Sequence, residues 1–206
     1  MRSLDATGNS GINHLKGNSG SNVLDGAGGA DLMEGWFGND TYYVDHEGDV
    51  VIDSHGDDHV YASIDWELSS GLDDLTLMGA AVVAVGNSAS NLLVGTSSDN
   101  VLDGGDGRDY IRGDSGSDTI SGGSGDDELK GEWGSDVIFG NDGNDLILGG
   151  WGKDALYGES GEDRLKGGPR GDFIAGNEGR DFLMGDSGRD NLSGGSGGDR
   201  LCGNWG

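Results

Sequence analysis

The chain has 206 residues, of which 45 are glycine, one is proline and one is cysteine, and its 12 basic against 38 acidic side chains give a formal charge of −26. One proline excludes a collagen triple helix, one cysteine excludes an intramolecular disulfide framework, and no apolar run approaches the ~20 residues of a membrane span. The charge repels nucleic acid and anionic membrane surfaces, so neither is expected as a partner.

Taken in chain order, Met1-Arg2-Ser3-Leu4-Asp5 lacks the apolar run that opens a secretory signal. A first block, residues 8–43, divides into four nine-residue units: GNSGINHLK, GNSGSNVLD, GAGGADLME and GWFGNDTYY. Residues 44–85 break this pattern with strand-like runs at Val50-Val51-Ile52, Val60-Tyr61-Ala62, Leu75-Thr76-Leu77 and Val82-Val83-Ala84-Val85. Within them Gly56-Asp57-Asp58-His59-Val60 still reads Gly-x-Asp-x-apolar, so the segment is expected to continue the repeat architecture with irregular coils; a separate small domain is the alternative. The main block, 86–206, resumes with GNSASNLLV and GTSSDNVLD and then holds its phase from GGDGRDYIR (104–112) to GGSGGDRLC (194–202). It stops four residues into a further unit, Gly203-Asn204-Trp205-Gly206.

The eighth position is apolar in every unit, from Leu15, Leu24, Met33 and Tyr42 through Leu93, Leu102 and Ile111 to Leu201. Its neighbours vary, which is the out-in-out period of a short strand with one buried residue. The six preceding residues are Gly-rich turn sequence. Turn, three-residue strand, turn and three-residue strand make an eighteen-residue coil. Stacked coils make an all-β parallel solenoid with an aliphatic ladder between two thin sheets.

One aliphatic per nine residues falls far short of the entropy lost on ordering them, and aligned carboxylates widen the deficit. The sixth position supplies the remedy. Asp109, Asp127, Asp145, Asp163, Asp181 and Asp199 fall on one edge, and Asp118, Asp136, Asp154, Asp172 and Asp190 on the other, neighbours being one coil apart. Paired carboxylates with turn carbonyls, and no His or Cys beside them, suit calcium better than zinc, copper or magnesium. The gaps give nine strong sites. Four weaker ones pair an amide with a carboxylate: Asn91 with Asp109, Asn100 with Asp118, Asn13 with Asp31, and Asn22 with Asp40.

These units resemble the repeat-in-toxin (RTX, hemolysin-type) nonapeptide Gly-Gly-x-Gly-x-Asp-x-apolar-x. The resemblance implies a right-handed parallel β-roll with calcium in its turns. It also implies a protein exported from a Gram-negative bacterium by type I secretion, which folds outside the cell or at its surface. The chain departs from the motif at Ala27, at Arg170 in place of the fourth glycine, and at the sixth-position asparagines.

Catalytic signals are weak, and a non-enzymatic role is expected. His46-Glu47 lacks the second histidine of a zinc-protease helix. His55 and His59, four apart among Asp53, Asp57 and Asp58, could recruit a metal, but in strand-and-turn sequence they read rather as a solvated acidic loop. Gly-Asp-Ser-Gly at 113–116 and 185–188 mimics a serine-nucleophile segment but falls on repeat turns. Cys202 reads as a surface thiol. More informative are apolar residues at outward positions: Val137 and Phe139, Ala155 and Tyr157, Phe173 and Ala175 on three successive coils. Trp133 and Trp151 share a turn position, with Pro169 next and Trp205 beyond. A contiguous apolar patch rimmed by polar residues marks an interface. The expectation is therefore a calcium-folded structural module that forms a homo-oligomer or filament, or docks on an adjoining domain. The alternative is a folding and secretion module of a larger enzyme such as a protease, lipase or alginate epimerase. Sugar binding by the tryptophan pair is a third possibility.

Overall fold

The computed structural model describes residues 3–203, so the features read at Met1-Arg2 and at Asn204-Trp205-Gly206, including the tryptophan at 205, lie outside the described residues. Every regular element among the described residues is a strand, and every strand pairing is parallel. A twelve-stranded sheet runs from Ala6–Thr7 to Arg200–Cys202, and an eight-stranded and a three-stranded sheet face it. The molecule is a parallel β-solenoid. No helix among the described residues is long and apolar enough to cross a membrane.

Register shows why the period is nine. Ile111 pairs Leu129, Leu129 pairs Ile147 and Ile147 pairs Leu165, each eighteen residues on, while Leu102, Ile120, Ile138 and Leu156 do the same opposite. Both columns point inward and form one continuous buried core. The ladder opens at its ends, where Leu15 and Leu192 are only partly buried and Leu201 is 45% exposed.

Three-residue strands are found where expected at His14–Lys16, Val23–Asp25 and Leu32–Glu34. Most strands of the main block are twice as long. Glu128–Trp133 and Leu146–Trp151, for instance, continue through the next unit's first three positions, so Trp133 pairs Trp151 as well as Leu129 pairing Ile147. Glycine at the first position reads as turn, but hydrogen bonds between stacked coils hold it extended. In the units from Gly104 on the chain then bends twice, at the second and fourth positions, both at positive φ except at Gly152. The second tolerates Asp114, Glu132, Asn141 and Glu159 at φ 70–76°. The fourth is Gly wherever the motif holds, and Arg170 at φ 87° is the exception.

Residues 44–85 lie within the stack. His59–Ala62 and Asp74–Leu77 are strands of the twelve-stranded sheet, between Thr41–Val44 and Leu92–Val94. Residues 44–61 are two further units in phase with the first block, with Asp49 and Asp58 in the sixth position and Val51 and Val60 in the eighth. Next comes a shortened coil: His59 pairs Asp74, fifteen residues on instead of eighteen. The facing sheet divides at this point, Val50–Ile52 ending the three-stranded part and Trp66–Glu67 beginning the eight-stranded one.

Candidate metal centre

Each sixth-position side chain is built into the coil before it. The backbone N–H of Asp109 donates to Asp127 Oδ1 at 2.8 Å, that of Asp127 to Asp145 at 2.8 Å, and that of Asp145 to Asp163 at 2.9 Å. Asp163 and Asp181 donate in turn to Asp181 and Asp199. On the other edge Asp118, Asp136, Asp154 and Asp172 donate to Asp136, Asp154, Asp172 and Asp190 at 2.9–3.0 Å. The amide-headed pairs follow the same rule, Asn91 donating to Asp109, Asn100 to Asp118, Asn13 to Asp31 and Asn22 to Asp40. Every sixth-position pair read from the sequence is thus brought together.

The second oxygen is left over. Oδ2 of Asp31, Asp40, Asp109, Asp118, Asp127, Asp136, Asp145, Asp154, Asp163, Asp172 and Asp181 is buried without a hydrogen-bond partner. Asp190 and Asp199, near the end of the stack, are less covered. An isolated orphan of this kind is costly, and a column of them suits positively charged partners. Burial pushes Asp118 and Asp145 up to about 7, and Asp109, Asp127, Asp154, Asp163 and Asp172 to about 6, against the opposing pull of the backbone donors. Asp136 and Asp181 shift upward for the same reason.

The first-position glycine shapes the cradle. A Cβ on Gly131 would collide with Asp136 Oδ2 and lie 2.6 Å from the Gly149 carbonyl oxygen of the next coil; Gly140 is hemmed in alike by Asp145 and by the Gly158 carbonyl at 2.7 Å. A carboxylate oxygen and a carbonyl oxygen therefore converge where a side chain would sit. This glycine is required for space and not for its dihedral angles, a role the motif alone did not reveal. Buried carboxylates, carbonyls and no nitrogen or sulfur are a calcium-type donor set.

The RTX calcium-binding nonapeptide repeat (four copies) matches residues 7–42, 85–120, 103–137, 112–147, 130–165 and 166–205, well over half of the chain. The chain belongs to the RTX calcium-binding repeat family. Among curated proteins, none matches it.

The RTX ladder is longer than its sequence suggested. Asp31 N–H donates to Asp49 Oδ1, Asp40 N–H to Asp58 Oδ1 and Asp58 N–H to Asp73 Oδ2, at 2.7–2.9 Å. The signal for Asp58 was the spacing around Gly56; Asp49 and Asp73 were hidden because Val44 and Leu68 stand where the RTX motif has its first glycine. One expectation is corrected: residues 53–58 are not a wholly solvated acidic loop, for Asp53 and Asp58 are buried while Asp57 is exposed.

The histidines find other partners. His46 Nδ1 accepts from Gly48 N–H, His55 bonds Ser54 Oγ and packs on Phe37, and His59 bonds Thr76 Oγ1. Within the two Gly-Asp-Ser-Gly turns, Asp114 pairs with Arg112 and Asp186 with Lys166, and Ser115 bridges to Trp133. Cys202 is a free, partly covered thiol.

Proposed function

We propose that this RTX chain is an extracellular structural module whose coils are stitched by calcium, and which then docks through an apolar face. The column of buried, unpartnered Asp Oδ2 atoms on both edges carries the reading. Without a cation these charges oppose stacking; with one between each pair, the same oxygens become ligands and coil is joined to coil. The nine gaps between Asp109 and Asp199 are the strong sites, Asp31 with Asp49 and Asp40 with Asp58 add two more, and the pairs headed by Asn13, Asn22, Asn91 and Asn100 bind more weakly. Location outside the cell fits a device that needs millimolar calcium, and secretion is the usual fate of the family.

The docking face is Val137, Phe139, Tyr157 and Phe173 on the eight-stranded sheet, with Trp133 and Trp151 along one edge. Phe139 stacks on Tyr157 at 4.9 Å and Trp133 on Trp151 at 5.2 Å. Trp133 and Trp151 are more than half exposed and remain for a second copy of the chain.

Circular dichroism and size exclusion with and without calcium test both parts. Calcium should convert the chain from coil to β structure, magnesium at equal concentration should not substitute, and oligomers or filaments should appear. A chain that keeps its β signal in chelator sinks the calcium reading. A calcium-folded monomer would favour the secretion module of a larger enzyme, its apolar face seating the catalytic domain.

A further inference from the structure

One place on the ladder has different chemistry. Asp53 occupies the first position of its unit, where the regular units have glycine, and Tyr42 occupies an eighth position otherwise held by aliphatics. Tyr42 Oη donates to Asp53 Oδ2 at 2.5 Å inside the core, and Ser54 and His55 N–H groups fix Asp53 Oδ1 at 2.6 and 3.2 Å. Asp40 and Asp58 each have Oδ1 tied to a backbone N–H one coil back. One carboxylate oxygen from each of Asp40, Asp53 and Asp58 lies within 4.8 Å of the other two.

Two further facts point to a ligand. Oδ2 of Asp40 and of Asp58 are buried and unpartnered, these residues being 1% and 0% exposed. Above Gly35, Asp40 Oδ2, Asp53 Oδ2 and Tyr42 Oη converge on the space a Cβ would fill, whereas at Gly17 the neighbour from the next coil is a backbone carbonyl. No ion pair among the described residues reaches the three carboxylates. The Tyr42 phenol is the side-chain donor that reaches them.

We propose that Asp53 joins the Asp40–Asp58 repeat pair to form a three-carboxylate cation site, unlike the two-carboxylate sites elsewhere on the ladder, that takes up calcium before any other part of the chain. The inference rests on the calcium reading of the repeats and adds to it a ranking. A third fixed negative charge in an oxygen-only, pre-anchored site raises affinity for a hard divalent ion. Tyr42 orients the added carboxylate while remaining protonated.

The test is a calcium competition titration of the full chain against a chromophoric chelator, comparing wild type with Asp53→Asn and Asp53→Gly. The second variant restores the residue that the regular units carry, and circular dichroism in calcium checks that both fold. Wild type should show one ion held at least about tenfold more tightly than the rest. Both variants should lose that class and retain the others. If they keep the same tightest class while still folding on calcium, the proposal is overturned and the repeat reading survives. If wild type takes up no calcium, both fall together.

Discussion

A sixth-position aspartate answers to two masters, the backbone N–H one coil back and whatever neutralises its buried second oxygen. In chelator that partner is a proton. The folded carboxylates titrate near 6–7 at Asp118, Asp145 and Asp109, above the ordinary carboxylate range, so the ordered state binds more protons than the unfolded one between those limits. Their stabilising contribution is fully present below about pH 4 and is lost as pH rises through 6–7. Circular dichroism of the chelated chain should therefore show more β structure at about pH 5 than at about pH 8. In calcium the trend should reverse, the calcium midpoint rising as pH falls, because protons compete for the ligand oxygens. A second residue-scale prediction concerns Arg170, held at φ 87° where the motif has glycine. Arg170→Gly should raise stability in calcium by about 1 kcal/mol, read as a higher melting temperature.

At the scale of the strand, the eighth-position column decides packing. Ile147 is fully buried mid-stack and Leu201 is 45% exposed at its end. Ile147→Ala should cost about 2–5 kcal/mol in calcium, while Leu201→Ala should cost well under half of that, as measured by chemical denaturation. This column was legible in the sequence, as was the pairing of Asp109 with Asp127 and of Asp118 with Asp136, because both follow from a phase that never slips after Gly104. The six-residue strands were not legible: a glycine-rich run gives no local sign that Gly131-Glu132-Trp133 will pair across coils. Nor was the exact phase of the units at 44–61, since Val44 and Asp53 replace the glycines that mark a unit's start; only Gly56-Asp57-Asp58-His59-Val60 betrayed the second of them. Asp53 was read as part of an acidic loop and not of the ladder, because a carboxylate in a first position has no precedent elsewhere in the chain and the phenol that fixes it comes from eleven residues upstream.

Across the whole molecule, the coils do not form one uniform stack. The twelve-stranded sheet passes unbroken from end to end, but opposite it the strands of the first block and those of the main block belong to different sheets. The step from His59 to Asp74 is three residues short of the period, and the segment between contributes only the two-residue strand Trp66–Glu67. Coil stability in a solenoid is transmitted by contact with the next coil, and across this step strand pairing continues along one wall alone. In the language of crystals this is a dislocation: a perfect lattice on either side, joined by a plane that can slip. As calcium is withdrawn, the two blocks should part company there before either dissolves. Limited proteolysis at falling calcium should accordingly nick first between Ala62 and Asp73, releasing two fragments that are still wound; first cuts inside 104–202 would instead describe a single indivisible spring.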